Sequence, residues 1–127
     1  MKRDDGTTIQ ELKELISKFR DERGWKDEHS PKNLSMSIAI EAAELMEHFQ
    51  WSTYRQEDKQ AVADELADIL AYCFNLADVM DIDIATSFRG KLDRARQKYP
   101  VETFNPDNKN VDAYYAAKKA YREGKKS

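Results

Sequence analysis

Apolar residues return every three or four positions between Thr8 and Arg23, as Ile9, Leu12, Ile16 and Phe19. That spacing predicts an amphipathic helix. Thr7 or Thr8 can cap its start, with Glu11 three residues after Thr8 as a capping-box partner, and Gly24 stops it. A polar loop, Trp25–Ser30, leads to a second helix expected over Pro31–Gln50, with Ser30 as its cap and proline in its first turn. This helix is apolar on most sides (Leu34, Met36, Ile38, Ile40, Leu45, Met46, Phe49), which predicts a central position. A short loop, Trp51–Gln56, separates it from a third helix over Glu57–Met80. There Val62, Leu66, Ile69, Cys73 and Leu76 form one stripe and Ala63, Ala67, Leu70, Phe74 and Ala77 another, so this helix too is expected to be mostly buried. A fourth helix is expected over Ile84–Lys98. Beyond Pro100 the chain reads as an extended loop, Val101–Asn110, and then a basic fifth helix over Val111–Gly124.

The sum is an all-α fold, most simply a four-helix bundle with an additional C-terminal helix or tail. Its 127 residues fit a single domain with a core over about 8–100. Four glycines and three prolines are too few for a strand-and-turn architecture. Lys and Arg number 21 against 24 Asp and Glu, a formal charge of −3, which argues against duplex nucleic acid as a partner. The single cysteine, Cys73, excludes an internal disulfide and a cysteine-based zinc site, and is read as a small packing residue. No stretch approaches the roughly 20 apolar residues of a membrane span. The charged N-terminus lacks the apolar run of a signal peptide, so a cytoplasmic location is expected.

Against this background four carboxylates stand out. Glu41 and Glu44 lie three apart on the second helix, and Glu65 and Asp68 three apart on the third. Each pair shares a helix face. The stripes run Ser37, Glu41, Glu44, His48 and Ala61, Glu65, Asp68, Tyr72, Asn75, and neither contains a Lys or Arg. Exposed helical faces normally mix charge signs. A merely solvated face would still let the two helices pack. If instead the stripes face each other, two carboxylates about 4 Å apart repel by roughly 4 kcal/mol at an effective dielectric near 20. Such a cluster needs protons or a cation. Oxygen-only ligands suit Mg²⁺ or Mn²⁺ better than zinc, and Mg²⁺ leaves positions for substrate phosphates. Trp25, His29, Trp51 and Tyr72 flank the carboxylates in sequence and offer stacking faces for a base.

The stretch FRDERGWKDEHSPKNLSMSIAIEAAELMEHFQW (Phe19–Trp51), with DELADILAY (Asp64–Tyr72) and KLDRARQKYP (Lys91–Pro100), resembles the all-α nucleoside triphosphate pyrophosphohydrolases. Within them it is most similar to the MazG-like branch that includes dCTP pyrophosphatases. The resemblance rests on an ExxE pair, a spacer and an ExxD pair. It implies hydrolysis of a (deoxy)nucleoside triphosphate, dCTP being the leading candidate, to the monophosphate and pyrophosphate with Mg²⁺. By the same resemblance Glu41, Glu44, Glu65 and Asp68 are metal ligands and the catalytic set. Trp25, His29, Trp51, Tyr72 and Asn75 are expected to contact substrate, with Lys91 and Arg94 reaching phosphates. A homodimer or homotetramer is implied as well.

Two other classes fit an all-α chain. A ferritin-like di-metal bundle needs a histidine three residues after a glutamate on two helices. None of Glu41, Glu44 and Glu65 has one. A non-catalytic helical interaction module would have no use for four intact carboxylates.

Overall fold

The structure, a computed structural model, describes residues 2–51, 58–109 and 111–126. Its helices are α1 (Ile9–Glu22), α2 (Pro31–Gln50), α3 (Lys59–Val79), α4 (Ile84–Lys98) and α5 (Val111–Lys126). The all-α expectation is met, and the helix bounds fall within about two residues of those read from the sequence. The turn expected at Trp51–Gln56 and the expected start of the third helix at Glu57 lie outside the described residues, Trp51 excepted. Contacts divide the chain into a first unit ending at Ile84 and a second beginning at Ala85. Among the described residues no helix is long and apolar enough to cross a membrane.

In the first unit the sequence-encoded caps are formed. Thr8 Oγ1 accepts from the Glu11 backbone N–H at 3.1 Å, and Ser30 Oγ accepts from Asn33 N–H at 3.1 Å. The end of α1 is a Schellman turn. Gly24 takes φ +69° and its N–H reaches Asp21 O, while the Trp25 N–H reaches Arg20 O at 3.2 Å. The Trp25 ring then meets Phe19 edge-on, 5.9 Å between centroids. A Cβ at Gly24 would touch nothing within 4 Å, so the cost of Gly24→Ala is that of the backbone alone. Thermal melting of that variant should show a loss of about 1 kcal/mol.

Helices α2 and α3 pack as an antiparallel pair. His48 and Glu44, late in α2, meet Glu65 near the start of α3, while Glu41, one turn earlier in α2, faces Asp68. Helix α1 also runs antiparallel to α3. Lys13 Nζ donates to Ile82 O at 3.1 Å, and further along α1 both Ser17 and Arg20 reach Asp78. Arg20 is 2% exposed. Its guanidinium donates to Asp21 (3.0 Å), Asp78 (3.1 Å) and Ser17 (3.3 Å). Burial works against its charge, but these carboxylates hold its pKa above the ordinary value.

The expected deep burial of α2 and α3 is not found within one chain. Among the described residues Leu34 and Ala77 are the fully buried apolar ones, whereas Ile40 is 55% and Met46 58% exposed on α2, and Leu66 51% on α3. The physical reason is that these helices are apolar on more sides than α1 and their own pairing can cover. Cys73 is half-buried, and burial pushes its thiol pKa up, as suits a packing residue.

In the second unit, α4 and α5 flank a short turn where an extended loop was expected. Phe104–Asn105 (β1) and Asn108–Lys109 (β2) form a two-residue antiparallel ladder. Asn105 closes it by accepting from Asp107 N–H and donating to Val101 O. Tyr99 stacks on Tyr114 (5.4 Å) and meets Phe104 edge-on.

Candidate functional site

Glu41 and Glu44 on α2 and Glu65 on α3 each bring a carboxylate oxygen to within 4.8 Å of the other two. All three are half-buried. Glu41 Oε2 and Glu65 Oε2 are enclosed and have no hydrogen-bond partner. His48 Nε2 stands 3.5 Å from Glu65 Oε1. The electrostatic consequence falls on Glu41, whose pKa is raised from 4.5 to about 7. Burial is the main cause, followed by a hydrogen bond shared with Glu44 and the negative charges of Glu44, Asp68 and Glu65. An all-oxygen cluster with two orphaned, buried acceptors and a proton held near neutrality fits a hard divalent cation.

Beside the carboxylates opens a cleft of about 250 Å³. Helix α1 contributes Ile16, Phe19 and Arg20 to its walls, and the following turn contributes Trp25 and His29. Glu41 comes from α2, and Asp68, Ala71, Tyr72 and Asn75 from α3. The Schellman turn carries Trp25 to the rim, where it stays 45% exposed. His29 closes the 3₁₀ turn Lys26–Glu28 with its N–H to Lys26 O, and its Nδ1 is buried without a partner.

The structure therefore brings together Glu41, Glu44 and Glu65 as a cluster, and Trp25, His29, Tyr72 and Asn75 around one cleft. Asp68 is near enough to raise the Glu41 pKa and lines the cleft, but it lies outside the three-oxygen cluster. Trp51 ends α2 at 88% exposure and does not line the cleft. Lys91 and Arg94 lie on α4 in the second unit, where Lys91 Nζ donates to Tyr121 Oη at 2.8 Å. Sequence reasoning missed Arg20. An arginine near a helix end surrounded by charges reads as surface, and only the long-range partner Asp78 reveals its role.

The MazG-like family model matches residues 36–113, which include both carboxylate pairs. The dCTP pyrophosphatases 1 of Homo sapiens and Rattus norvegicus are 32% identical to the chain over 102 residues, covering 74% of it. The chain spans 60% of the length of these relatives. The crystal structure of a pyrophosphatase from Archaeoglobus fulgidus superposes with a TM-score of 0.66 at 40% identity, covering 72% of this chain and 92% of that one. With the match running through the helices that carry Glu41, Glu44, Glu65 and Asp68, the chain belongs to the MazG-like family.

Proposed function

We propose that the chain hydrolyses (deoxy)nucleoside triphosphates, dCTP foremost, to the monophosphate and pyrophosphate. The observation that carries this reading is the carboxylate cluster opening onto an aromatic-walled cleft. The names of the relatives, dCTP pyrophosphatase and pyrophosphatase, support it. Glu41, Glu44 and Glu65 would hold Mg²⁺, with Mn²⁺ as a substitute and Asp68 as the neighbouring fourth carboxylate. Bound there, the ion would neutralise phosphate charge and acidify water. The residues of the chain do the positioning. Trp25 and Tyr72 flank the base, and His29 and Asn75 offer hydrogen bonds inside the cleft. His48 steadies Glu65. In the reaction a water oxygen bonds to the α-phosphorus and gives up a proton to a neighbouring carboxylate and then to solvent, while the α–β anhydride breaks and pyrophosphate leaves with the bridging oxygen and its electron pair.

The test is incubation of a nucleotide panel with Mg²⁺. Pyrophosphate and monophosphate should appear in equal amounts from dCTP, and Glu41→Gln should abolish both. Absence of pyrophosphate above that control from every nucleotide would overturn the reading.

A second copy of the chain is the proposed partner. Leu12, Leu15, Phe19, Ala67, Leu70 and Phe74 line an apolar groove of about 350 Å³ between α1 and α3. Leu15 there is 65% exposed. A chain with mean hydropathy −0.86 that leaves such a groove open, and among the described residues fully buries two apolar side chains, gains a cover for that groove from a second copy. Sedimentation should give a dimer or tetramer, and Leu15→Glu should shift it to smaller species. A monomeric parent chain would refute this.

A further inference from the structure

Helix α1 forms one side of the cleft, and apolar packing does little to hold it there. The groove between α1 and α3 stays open, and Leu12, Leu15 and Phe19 along it are exposed. Polar bonds join the two helices instead. Lys13 Nζ donates to Ile82 O, Ser17 Oγ donates to Asp78 Oδ2 at 3.3 Å, and Arg20 Nη1 donates to the same oxygen at 3.1 Å. Two of these three bonds therefore end on one exposed carboxylate, which is not among the residues that line the cleft. Asp78 lies on α3 ten residues beyond Asp68, about 15 Å along the axis, so this bond spans the cleft at the end away from the carboxylate cluster. On the α1 side stand Phe19, Arg20 and Trp25, whose N–H is held by Arg20 O and whose ring meets Phe19. On the α3 side stand Tyr72 and Asn75, the latter one turn before Asp78. The charges that act on Glu41 are those of Glu44, Asp68 and Glu65, with neither Arg20 nor Asp78 among them. The pair thus acts on the cleft through geometry rather than through the field at the cluster.

Resting on the pyrophosphohydrolase reading above, we propose that Asp78 is a positioning residue for nucleotide binding, which by holding Ser17 and Arg20 of α1 fixes the separation of the Trp25 and Tyr72 sides of the cleft. It touches no substrate. Two rings grip a base only when their spacing matches its thickness, for a gap of about 0.5–1 Å already forfeits a quarter to a half of the attraction at each contact. Without the Asp78 carboxylate the α1 side is free to move by that much. The base then loses part of its stacking, while the phosphate end, built on α2 and α3 by Glu41, Glu44 and Glu65, keeps its arrangement. The buried guanidinium is not left bare by the change. Asp21 on α1 itself still accepts from Arg20 Nε at 3.0 Å, and Ser17 Oγ still accepts from Nη2 at 3.3 Å.

The test compares the parent chain with Asp78→Ala and Asp78→Asn, two variants so that one failing to fold leaves the other. With Mg²⁺ present, KM and kcat for dCTP are measured beside calorimetric binding of dCMP and inhibition by imidodiphosphate, a pyrophosphate analogue that carries no base. Asp78→Ala should raise KM for dCTP and weaken dCMP by about tenfold. Its kcat should fall less than about threefold, and inhibition by imidodiphosphate should stay within about twofold of the parent. Asp78→Asn, which keeps an acceptor without the charge, should fall between the two. Unchanged KM and dCMP affinity in Asp78→Ala would overturn the inference. So would an equal loss of dCMP and imidodiphosphate, the mark of a general destabilisation. A parent that hydrolyses nothing but binds dCMP in an Asp78-dependent manner would sustain it while refuting the catalytic reading. Hydrolysis with an Asp78-independent KM would do the reverse, and a parent that neither hydrolyses dCTP nor binds dCMP would overturn both.

Discussion

Glu44→Gln should raise the melting temperature of the metal-free protein and abolish the further rise that Mg²⁺ gives the parent chain. Both effects have one origin. Without a cation, Glu44 crowds Glu41 and Glu65, and the strain is visible in the proton that Glu41 retains to about pH 7. Removing one charge relieves it. With a cation, the same charge is the attraction, and an amide cannot replace it. A ligand at a hundred times its dissociation constant stabilises a fold by about 2.7 kcal/mol. For a domain of this size that is on the order of 10 °C. Turnover should fall with the lost metal, on the order of a thousandfold, comparable to removal of one preorganised charge-stabilising group elsewhere. Scans of both proteins with and without Mg²⁺ check the pair of signs. A variant that melts lower without metal, or still gains from Mg²⁺, contradicts the clustered geometry.

The affinity for Mg²⁺ should also depend steeply on pH, rising about tenfold per pH unit up to about 7 and levelling above it. Glu41 must lose its proton to become a ligand, and its pKa in the folded protein is about 7. The metal-free fold should show the opposite trend. In the unfolded chain this carboxyl loses its proton near 4.5, while in the folded chain it keeps it to about 7. Between those values the folded state binds more protons, so stability declines as pH rises and flattens beyond 7. Calorimetric titration with Mg²⁺ at pH 5.5 and pH 8, beside melting of the metal-free protein over the same range, separates the two. Equal affinities at both pH values would show that Glu41 is not a ligand. With Glu41→Gln both slopes should vanish.

The helices were legible because their signals are local. Thr8 with Glu11, Ser30 with Pro31, and Gly24 with its positive φ each decide a boundary within a few residues. The carboxylate pairs were legible for a related reason: two short spacings on two greasy helices leave few ways to pack. What the sequence concealed depends on distance along the chain. Arg20 acquires its role from Asp78, 58 positions away. Asp68 and Glu65 share a face, yet a single turn of rise places one at the cleft and the other in the cluster. Trp51 reads as a site residue by its neighbourhood in sequence; in the structure it ends α2 largely exposed and is not among the residues that line the cleft. The openness of α2 and α3 was hidden because an apolar helix face that stays exposed in the folded chain has the same sequence pattern as one that meets its own core.

Arg20 joins two jobs in one residue. Its carbonyl receives the Trp25 N–H that sets the cleft rim, and its guanidinium ties α1 to the far end of α3 through Asp78. The rim therefore has no independent freedom to fray. Amide exchange at Trp25 should keep pace with exchange in the last turn of α1, so that widening of the cleft mouth and loosening of that turn are one event rather than two.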